Sequence, residues 1–331
     1  MEGKDVSYLL EVNDLETSFF IKGVEYNAVD RVSLKVRKNQ VIGIVGESGC
    51  GKSVLSLSIM NLLPKGISRI RHGEIIFQGK RIDTLREEQL NDIRGKDISM
   101  IFQEPMTSLN PVLTIGDQLT EVFLTHTKMS KKEAEEECVL LLKEVGIPRP
   151  ESVIREYPHQ LSGGMRQRVM IAMAIACKPK LLIADEPTTA LDVTVQAQIL
   201  ELLKHIQKTN EMSIMLITHD LGIVAEMCDE VIVMYAGTIV ERADVCSLFY
   251  HAKHPYTQLL IHSIPRIDEE VSSLSTIDGI VPSLTQMPKK GCRFVDRCPK
   301  AMRECREVTP TLSSYTTGHD VACLLYEQVA R

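Results

Sequence analysis

The segment 46–53 reads GESGCGKS and matches the pattern G-x-x-x-x-G-K-[ST] of a phosphate-binding loop. A continuous apolar run at 40–45 predicts a buried strand before it, and a helical pattern over 53–63 follows it. Backbone N–H groups of such a loop, together with the N-terminus of the helix, favour bound anions. We therefore predict a nucleotide phosphate site formed by Gly46, Glu47, Ser48, Gly49, Cys50, Gly51, Lys52, Ser53 and Val54.

A second predicted strand, at 180–184, ends in Asp185 followed by Glu186. We expect Lys52 to contact the β- and γ-phosphates, and Ser53 and Asp185 to hold Mg²⁺. A carboxylate at Glu186 is then suited to orient and deprotonate the attacking water. An Asp-Glu pair after a strand is by itself typical of a solvated turn, and it becomes a catalytic prediction only beside the phosphate loop.

The remaining pattern indicates an α/β fold. Apolar, β-rich segments at 9–12, 32–36 and 74–77 predict an antiparallel sheet, and 105–170 has a helical pattern. Predicted strands at 180–184, 213–218 and 230–235 alternate with predicted helices at 193–209 and 221–227. This alternation predicts a mostly parallel sheet covered on both faces.

Composition narrows the class of protein. The chain has 331 residues, which suits one large domain with an appendage. Its net charge of −6 argues against a nucleic-acid-binding protein. The longest apolar runs are strand-sized and the N-terminus lacks a secretory pattern, so we expect an intracellular protein that reaches a membrane only through partners.

The segment 161–168, LSGGMRQR, reads as a glycine-containing turn that opens a helix. It completes a set of motifs that resembles the ABC ATPase family, and we call it the signature segment because it resembles the signature motif of that family. The resemblance implies that Ser162, Gly163 and Gly164 contact the γ-phosphate of ATP held by an opposite subunit. Met165 departs from the more usual Gln. Two such chains would therefore share two ATP sites.

Other residues match this family in order. The resemblance implies that Gln103 reaches Mg²⁺ and water, and that Ala190-Leu191-Asp192 carries contacts across the dimer. It also implies that His219 senses the γ-phosphate and braces Glu186, although an isolated histidine there is ordinarily structural. For the aromatic residue that stacks on adenine, Phe19 fits the spacing best among Phe19, Phe20 and Tyr26.

The kind of ABC protein follows from what surrounds these motifs. The chain has one cassette, no fused membrane helices, and too short an interval between phosphate loop and signature for the coiled coil of a DNA-repair ATPase. Runs such as FQEPMTSLNP at 102–111 and HPYTQLL at 254–260 resemble the ATPases of dipeptide and oligopeptide importers. Nickel importers are a similar alternative, and a soluble, non-transport ABC ATPase is less favoured.

The resemblance implies a domain plan and a set of partners. An ABC ATPase domain at 1–250, with its antiparallel β subdomain and a helical subdomain at about 105–170, would precede a C-terminal region at 251–331. The partners would be a second ATPase subunit, in this family a paralogue, two transmembrane permeases and an extracytoplasmic solute-binding protein. The chain would lie peripherally on the cytoplasmic face of the cell membrane and bind no nucleic acid. The 158–160 segment would help to transmit coupling.

Four of the nine cysteines crowd the C-terminal region: Cys292, Cys298, Cys305 and Cys323. Four thiolates suit either zinc or an iron–sulfur cluster. Their spacing lacks the paired C-x₂-C knuckles of a typical structural zinc site, so the spacing alone leaves both kinds of metal centre open. Resemblance to the peptide-importer group implies a [4Fe–4S] cluster, with Zn²⁺ as the alternative. We interpret His319 as a bystander and the five scattered cysteines as small apolar fillers.

Overall fold

The computed structural model describes residues 8–103, 108–189, 191–263 and 277–327. The chain forms two compact units. The first consists of Met1–Leu9, Val36–Gln40 and Thr84–Leu216. The second consists of Leu10–Lys35, Val41–Asp83 and Ile217–Arg331.

Twelve strands occur in the described residues. They are β1 Leu10–Ile21, β2 Val24–Val36, β3 Val41–Val45, β4 Ser68–Phe77, β5 Lys80–Arg81, β6 Ile98–Ile101, β7 Leu181–Asp185, β8 Ser213–Thr218, β9 Glu230–Tyr235, β10 Thr238–Asp244, β11 Ser313–Thr316 and β12 His319–Val321. Strands β3, β7 and β8 are buried along their whole length, as strands covered on both faces should be.

Ten α-helices occur in the same residues. They are α1 Lys52–Ile59, α2 Glu87–Asn91, α3 Ile115–His126, α4 Lys131–Glu144, α5 Pro150–Val153, α6 Gly163–Ile175, α7 Val193–Thr209, α8 Leu221–Met227, α9 Val245–His251 and α10 Pro255–His262. Short 3₁₀ turns add Pro158–Gln160, Leu284–Gln286, Val295–Arg297 and Arg303–Arg306. None of the helices in the described ranges has the length and apolar character that a membrane crossing requires.

The second unit holds two sheets. One is antiparallel, with the order β2–β1–β4–β5. The other runs β11–β12–β10–β9–β3, in which β3 is parallel to β9 and the remaining pairs are antiparallel. In the first unit β6 pairs with β7 in parallel, and β8 contains the point at which the chain passes from one unit to the other.

Local signals explain where the helices begin and end. Ser130 accepts a hydrogen bond from the Glu133 N–H, and the Glu133 carboxylate accepts one from the Ser130 N–H at 2.7 Å, so α4 begins with a capping box. Helix α1 is shorter than predicted, because Asn61 adopts a left-handed conformation with φ 50° after the helix ends at Ile59. The predicted α/β class, with parallel and antiparallel sheets and a helical segment, is confirmed.

Candidate nucleotide site

The loop between β3 and α1 has the backbone that its glycines permit. Gly46 has φ 151°, and a Cβ there would lie 2.3 Å from the Met234 carbonyl oxygen. Gly51 has φ 104°, and a Cβ there would lie 2.7 Å from the Ala28 carbonyl oxygen. Any side chain at either position would collide with backbone, so the loop can pack closely only as glycine. We call residues 46–53 the phosphate loop.

Lys52 begins helix α1 and turns its amine back onto the phosphate loop. Its Nζ donates to the carbonyl oxygen of Gly46 at 2.7 Å and to that of Glu47 at 3.0 Å. The side chain is only 5% exposed. The ammonium is therefore held by loop carbonyls, and an incoming phosphate would compete with them for its protons.

The other loop residues divide by exposure. Ser48, Gly49 and Ser53 are exposed, Val54 is half-buried and Cys50 is buried. Burial raises the pKa of the Cys50 thiol, which keeps it neutral. Cys50 therefore packs as a small apolar side chain, and polar contact with a phosphate falls to the exposed residues and the loop backbone.

In the first unit, the side chains of Gln103 and Glu186 are in contact. The Gln103 Nε2 donates to the Glu186 carboxylate at 3.1 Å. Asp185 is the buried last residue of β7, and Glu186, with φ 47°, occupies a left-handed conformation that non-glycine residues rarely adopt. Such strain is stored where the surrounding structure fixes a side chain for function.

Two contacts near Glu186 were missed by the sequence analysis. The Thr189 hydroxyl donates to the Glu186 carboxylate at 2.9 Å. The buried Gln167 amide on α6 donates to the Pro187 carbonyl oxygen, directly after Glu186. The Thr-Thr pair after Pro187 is the only sequence signal for a hydroxyl near Glu186. A glutamine within a helix gives no signal for a contact with the Pro187 carbonyl oxygen.

The signature segment opens a helix, as predicted. Ser162 caps α6 by accepting a hydrogen bond from the Met165 N–H. A Cβ on Gly163 would meet no described heavy atom within 4 Å, whereas one on Gly164 would lie 3.0 Å from a Val195 methyl. Gly163 thus presents open backbone at a helix N-terminus, where anions are favoured.

The remaining predicted residues occupy element ends. Asp192 caps α7 through the Val195 N–H, whereas Ala190 lies outside the described residues. His219 is exposed directly after β8.

The three aromatic candidates for adenine lie in the antiparallel sheet. Phe19 on β1 and Tyr26 on β2 are half-buried, whereas Phe20 lies under the Arg69 guanidinium, 5.1 Å from ring centroid to Cζ. Phe20 is thus already engaged, which leaves Phe19 and Tyr26 as the better candidates.

The four C-terminal cysteines share one neighbourhood. We call residues 292–323 the cysteine segment. The Cys292 N–H donates to the Cys305 carbonyl oxygen at 2.7 Å, and burial, with the other three thiols nearby, raises the pKa of Cys292 to about 11. Burial also raises the pKa of Cys298 and of Cys323.

Four thiols are donors of the type that suits a soft metal, but the placement of these side chains does not suit one. Across the described ranges, which include all four cysteines, no three or more His, Cys, Asp or Glu side chains are placed so that they could hold a metal ion. The structure thus lends no support to the predicted cluster. His319 contacts Glu241, with its Nε2 2.7 Å from the buried carboxylate.

Comparison with known families gives two matches along the chain. Residues 29–189 match the family described as "ABC transporter". Residues 240–305 match the family described as "Oligopeptide/dipeptide transporter, C-terminal region". The second match includes three of the four clustered cysteines.

Similar proteins extend the likeness over nearly the whole chain. The oligopeptide transport ATP-binding protein AppD of Bacillus subtilis is 54% identical, with 98% of each chain covered. The dipeptide transport ATP-binding protein DppD of Haemophilus influenzae is 52% identical, with 92% of each chain covered. Among solved structures, a dimeric ATP-binding cassette in a post-hydrolysis state with ADP and Pi is 25% identical with a TM-score of 0.65, covering 71% of this chain and 98% of that one.

Proposed function

This chain belongs to the ABC transporter family, among the oligopeptide and dipeptide transport ATP-binding proteins, and from that membership we propose that it hydrolyses ATP to drive peptide import. The observation that carries the proposal is the identity of about half of all residues with such proteins over nearly their full length. We assign the ABC ATPase domain to residues 1–250 and the transporter-specific C-terminal region to 251–331.

In this proposal the phosphate loop binds the β- and γ-phosphates of ATP. The loop backbone and the N-terminus of α1 supply N–H donors, and Lys52 adds a positive charge. The two carbonyl contacts of Lys52 support this role, because they keep the ammonium at the loop until phosphate oxygens replace them.

Mg²⁺ would be held by the Ser53 hydroxyl, the Gln103 amide oxygen and the Asp185 carboxylate. These are the oxygen donors that Mg²⁺ prefers, and the ion neutralises negative charge on the phosphates.

Glu186 acts as the general base for the attacking water. Its carboxylate accepts hydrogen bonds from Gln103 and Thr189, which supports a fixed orientation for proton abstraction. His219 is assigned to sensing the γ-phosphate and Phe19 to stacking on adenine.

The signature residues Ser162, Gly163 and Gly164 act on ATP bound by a second cassette subunit, which we propose to be a paralogue. The open backbone at Gly163 and the N-terminus of α6 support this role. The dimeric state of the similar ATP-binding cassette supports a shared site.

The partners we propose are two transmembrane permeases and, through them, an extracytoplasmic solute-binding protein. The chain would lie peripherally on the cytoplasmic face of the membrane. ATP would favour the closed cassette pair and hydrolysis the open one, and the permeases would follow because ATP binds the closed state more tightly. The Gln103 segment and the Pro158–Gln160 turn are the proposed contacts for this coupling.

Purification of the complex with its permeases and binding protein tests the proposal. We expect ATP hydrolysis by the reconstituted complex to rise when the binding protein is loaded with peptide. Stimulation by nickel and not by peptide would move the chain to a metal importer. A rate of ATP hydrolysis that depends on neither the permeases nor the solute would contradict a transport role.

For the cysteine segment we propose that Cys292, Cys298, Cys305 and Cys323 hold a [4Fe–4S] cluster. The number and type of donors in the sequence support it, and the cluster would pin an irregular segment in place. Anaerobically purified protein should then contain about four irons and four sulfides per chain, as this cluster type requires. Stoichiometric zinc would replace the cluster by a zinc site, and metal-free protein would contradict both.

A further inference from the structure

The cysteine segment reaches the phosphate loop through Arg297. The Arg297 Nη1 and Nη2 donate to the two carboxylate oxygens of Glu47 at 2.8 and 2.9 Å. The Arg297 side chain is 7% exposed and that of Glu47 is 27% exposed. This is a bidentate, largely desolvated ion pair, the kind in which loss of one partner costs most.

Glu47 is held at two further points. Its N–H donates to the Tyr256 hydroxyl on α10 at 2.9 Å, and its carbonyl oxygen accepts from Lys52. Side chain, N–H and carbonyl are thus all engaged. The second residue of the phosphate loop is therefore fixed by Lys52 of the loop itself and by Tyr256 and Arg297, which lie more than 200 positions away in the sequence.

The elements that supply these contacts are rigidly packed. Tyr235, Tyr256 and Phe294 are buried, with ring centroids 4.8 to 5.3 Å apart. Arg293 donates to the Ala236 carbonyl oxygen and to the Asp30 carboxylate. Arg297 also donates through Nε to the Asp278 carbonyl oxygen at 2.7 Å, so its guanidinium has little freedom to leave Glu47.

We propose that Arg297 is a positioning residue for ATP binding, through which the cysteine segment sets the nucleotide affinity of the phosphate loop. Arg297 neutralises a carboxylate in a loop that must accept a polyanion, and it fixes the loop backbone beside Lys52. Without Arg297 the Glu47 charge would repel phosphate and the loop would have to be ordered at a cost in affinity. The inference rests on the proposed function only in taking the loop as the ATP site.

A set of variants in the full-length chain separates this role from plain stabilisation. The measurement is the Kd of ATP carrying a fluorescent ribose label, at fixed Mg²⁺, with circular dichroism as the check on folding. R297Q should weaken binding by about tenfold, because a charge is left unneutralised at the loop. E47Q/R297Q should recover most of that loss, because the repelling carboxylate is gone as well. A purely structural Arg297 would lower the stability of R297Q but leave the Kd of the folded protein for ATP unchanged.

The matched control is R306Q. Arg306 lies in the same segment and pairs with Asp296, but both side chains are exposed, at 65% and 70%, so its loss should leave the Kd unchanged. If R297Q does not fold, R297K carries the test, because lysine keeps the positive charge but cannot make both contacts with Glu47. A folded R297K that binds ATP more weakly than the parent supports the proposal, and one with the Kd of the parent overturns it.

Lys52→Ala, measured in the same series, distinguishes a failure of the proposed ATP site from a failure of the proposed role of Arg297. Normal ATP binding by K52A would refute the phosphate loop as the ATP site. Lost binding by K52A with an unchanged Kd for folded R297Q would refute the role of Arg297 alone.

Discussion

Short residue patterns predict both the phosphate loop and the cysteine segment, but the geometry of the two in the structure agrees with those patterns to different degrees. The loop lies between a buried strand and a helix, with its glycines in conformations that only glycine adopts easily. The cysteine segment brings four thiols into one neighbourhood, but across the described residues they form no metal-holding group.

The difference lies in what the pattern has to specify. The loop binds phosphate through its own backbone, so eight consecutive residues determine nearly the whole geometry. A metal site depends on side chains from distant positions, and its geometry follows only when the intervening chain is placed. The structure adds a link that neither pattern contains, because Arg297 of the segment holds Glu47 of the loop.

The comparison predicts that variants of the ATP-handling residues change chemistry at constant stability. The largest effect is expected for Glu186→Gln in the assembled complex. ATP turnover should fall by about 10²–10⁴-fold while ATP still binds, because only the general base is lost. Steady-state phosphate release measures turnover, and size-exclusion chromatography with ATP should show more cassette dimer. Exposed Glu201→Gln is the control, and undiminished turnover by E186Q would show that the base is wrongly assigned.

Lys52→Ala should come next in size. Removing the ammonium should weaken ATP binding by about 100-fold, since charge-assisted hydrogen bonds to phosphate are lost. Isothermal titration calorimetry with ATP measures it, and exposed Lys208→Ala should bind like the parent.

Thr189→Val tests a contact that the sequence did not reveal. Its hydroxyl holds the Glu186 carboxylate at 2.9 Å, and its loss should lower kcat by about three- to tenfold with little change in KM. Equal kcat for T189V and the parent would mean that the contact does not orient the base.

Beside the cysteine segment, we expect a change of pH to alter the free energy of unfolding. His254 is buried beside Phe294, and burial lowers its pKa from 6.5 to about 3. The folded protein keeps it neutral while the unfolded chain takes up a proton below pH 6.5, so stability is lost as pH falls from 6.5 toward 3. The contribution is about 1.4 kcal/mol per pH unit.

The Tyr256 N–H donates to His254 Nδ1 at 3.1 Å. His254→Asn removes the titrating group but keeps a side-chain acceptor for this N–H. Urea unfolding between pH 7 and pH 5 should show a shallower loss of stability for H254N than for the parent. Parallel curves would show that His254 is not the group responsible.

Most of the local structure could be predicted because its signals are local. The helix at Val193–Thr209 and the strands at Ser213–Thr218 and Glu230–Tyr235 coincide with the predicted ranges, since periodicity and capping residues mark both ends. The family resemblance implies only that Gln103 reaches Mg²⁺ and water, and no local pattern predicts its hydrogen bond to Glu186.

The contacts of Arg297, Tyr256 and Thr189 could not be predicted. Nothing in the spacing of an arginine between two cysteines indicates a carboxylate 250 residues earlier as its partner. The left-handed conformation of Glu186 was equally hidden, because glutamate has no preference for it.

ATP-dependent uptake of a labelled peptide into proteoliposomes tests the central claim most directly. The vesicles would contain this chain, its partner ATPase and both permeases, with binding protein supplied on the opposite side and ATP on the side of this chain. We expect peptide accumulation that requires ATP and stops when the subunit carries Glu186→Gln. Accumulation that continues with this variant, or fails with the parent while ATP is hydrolysed, would contradict this claim.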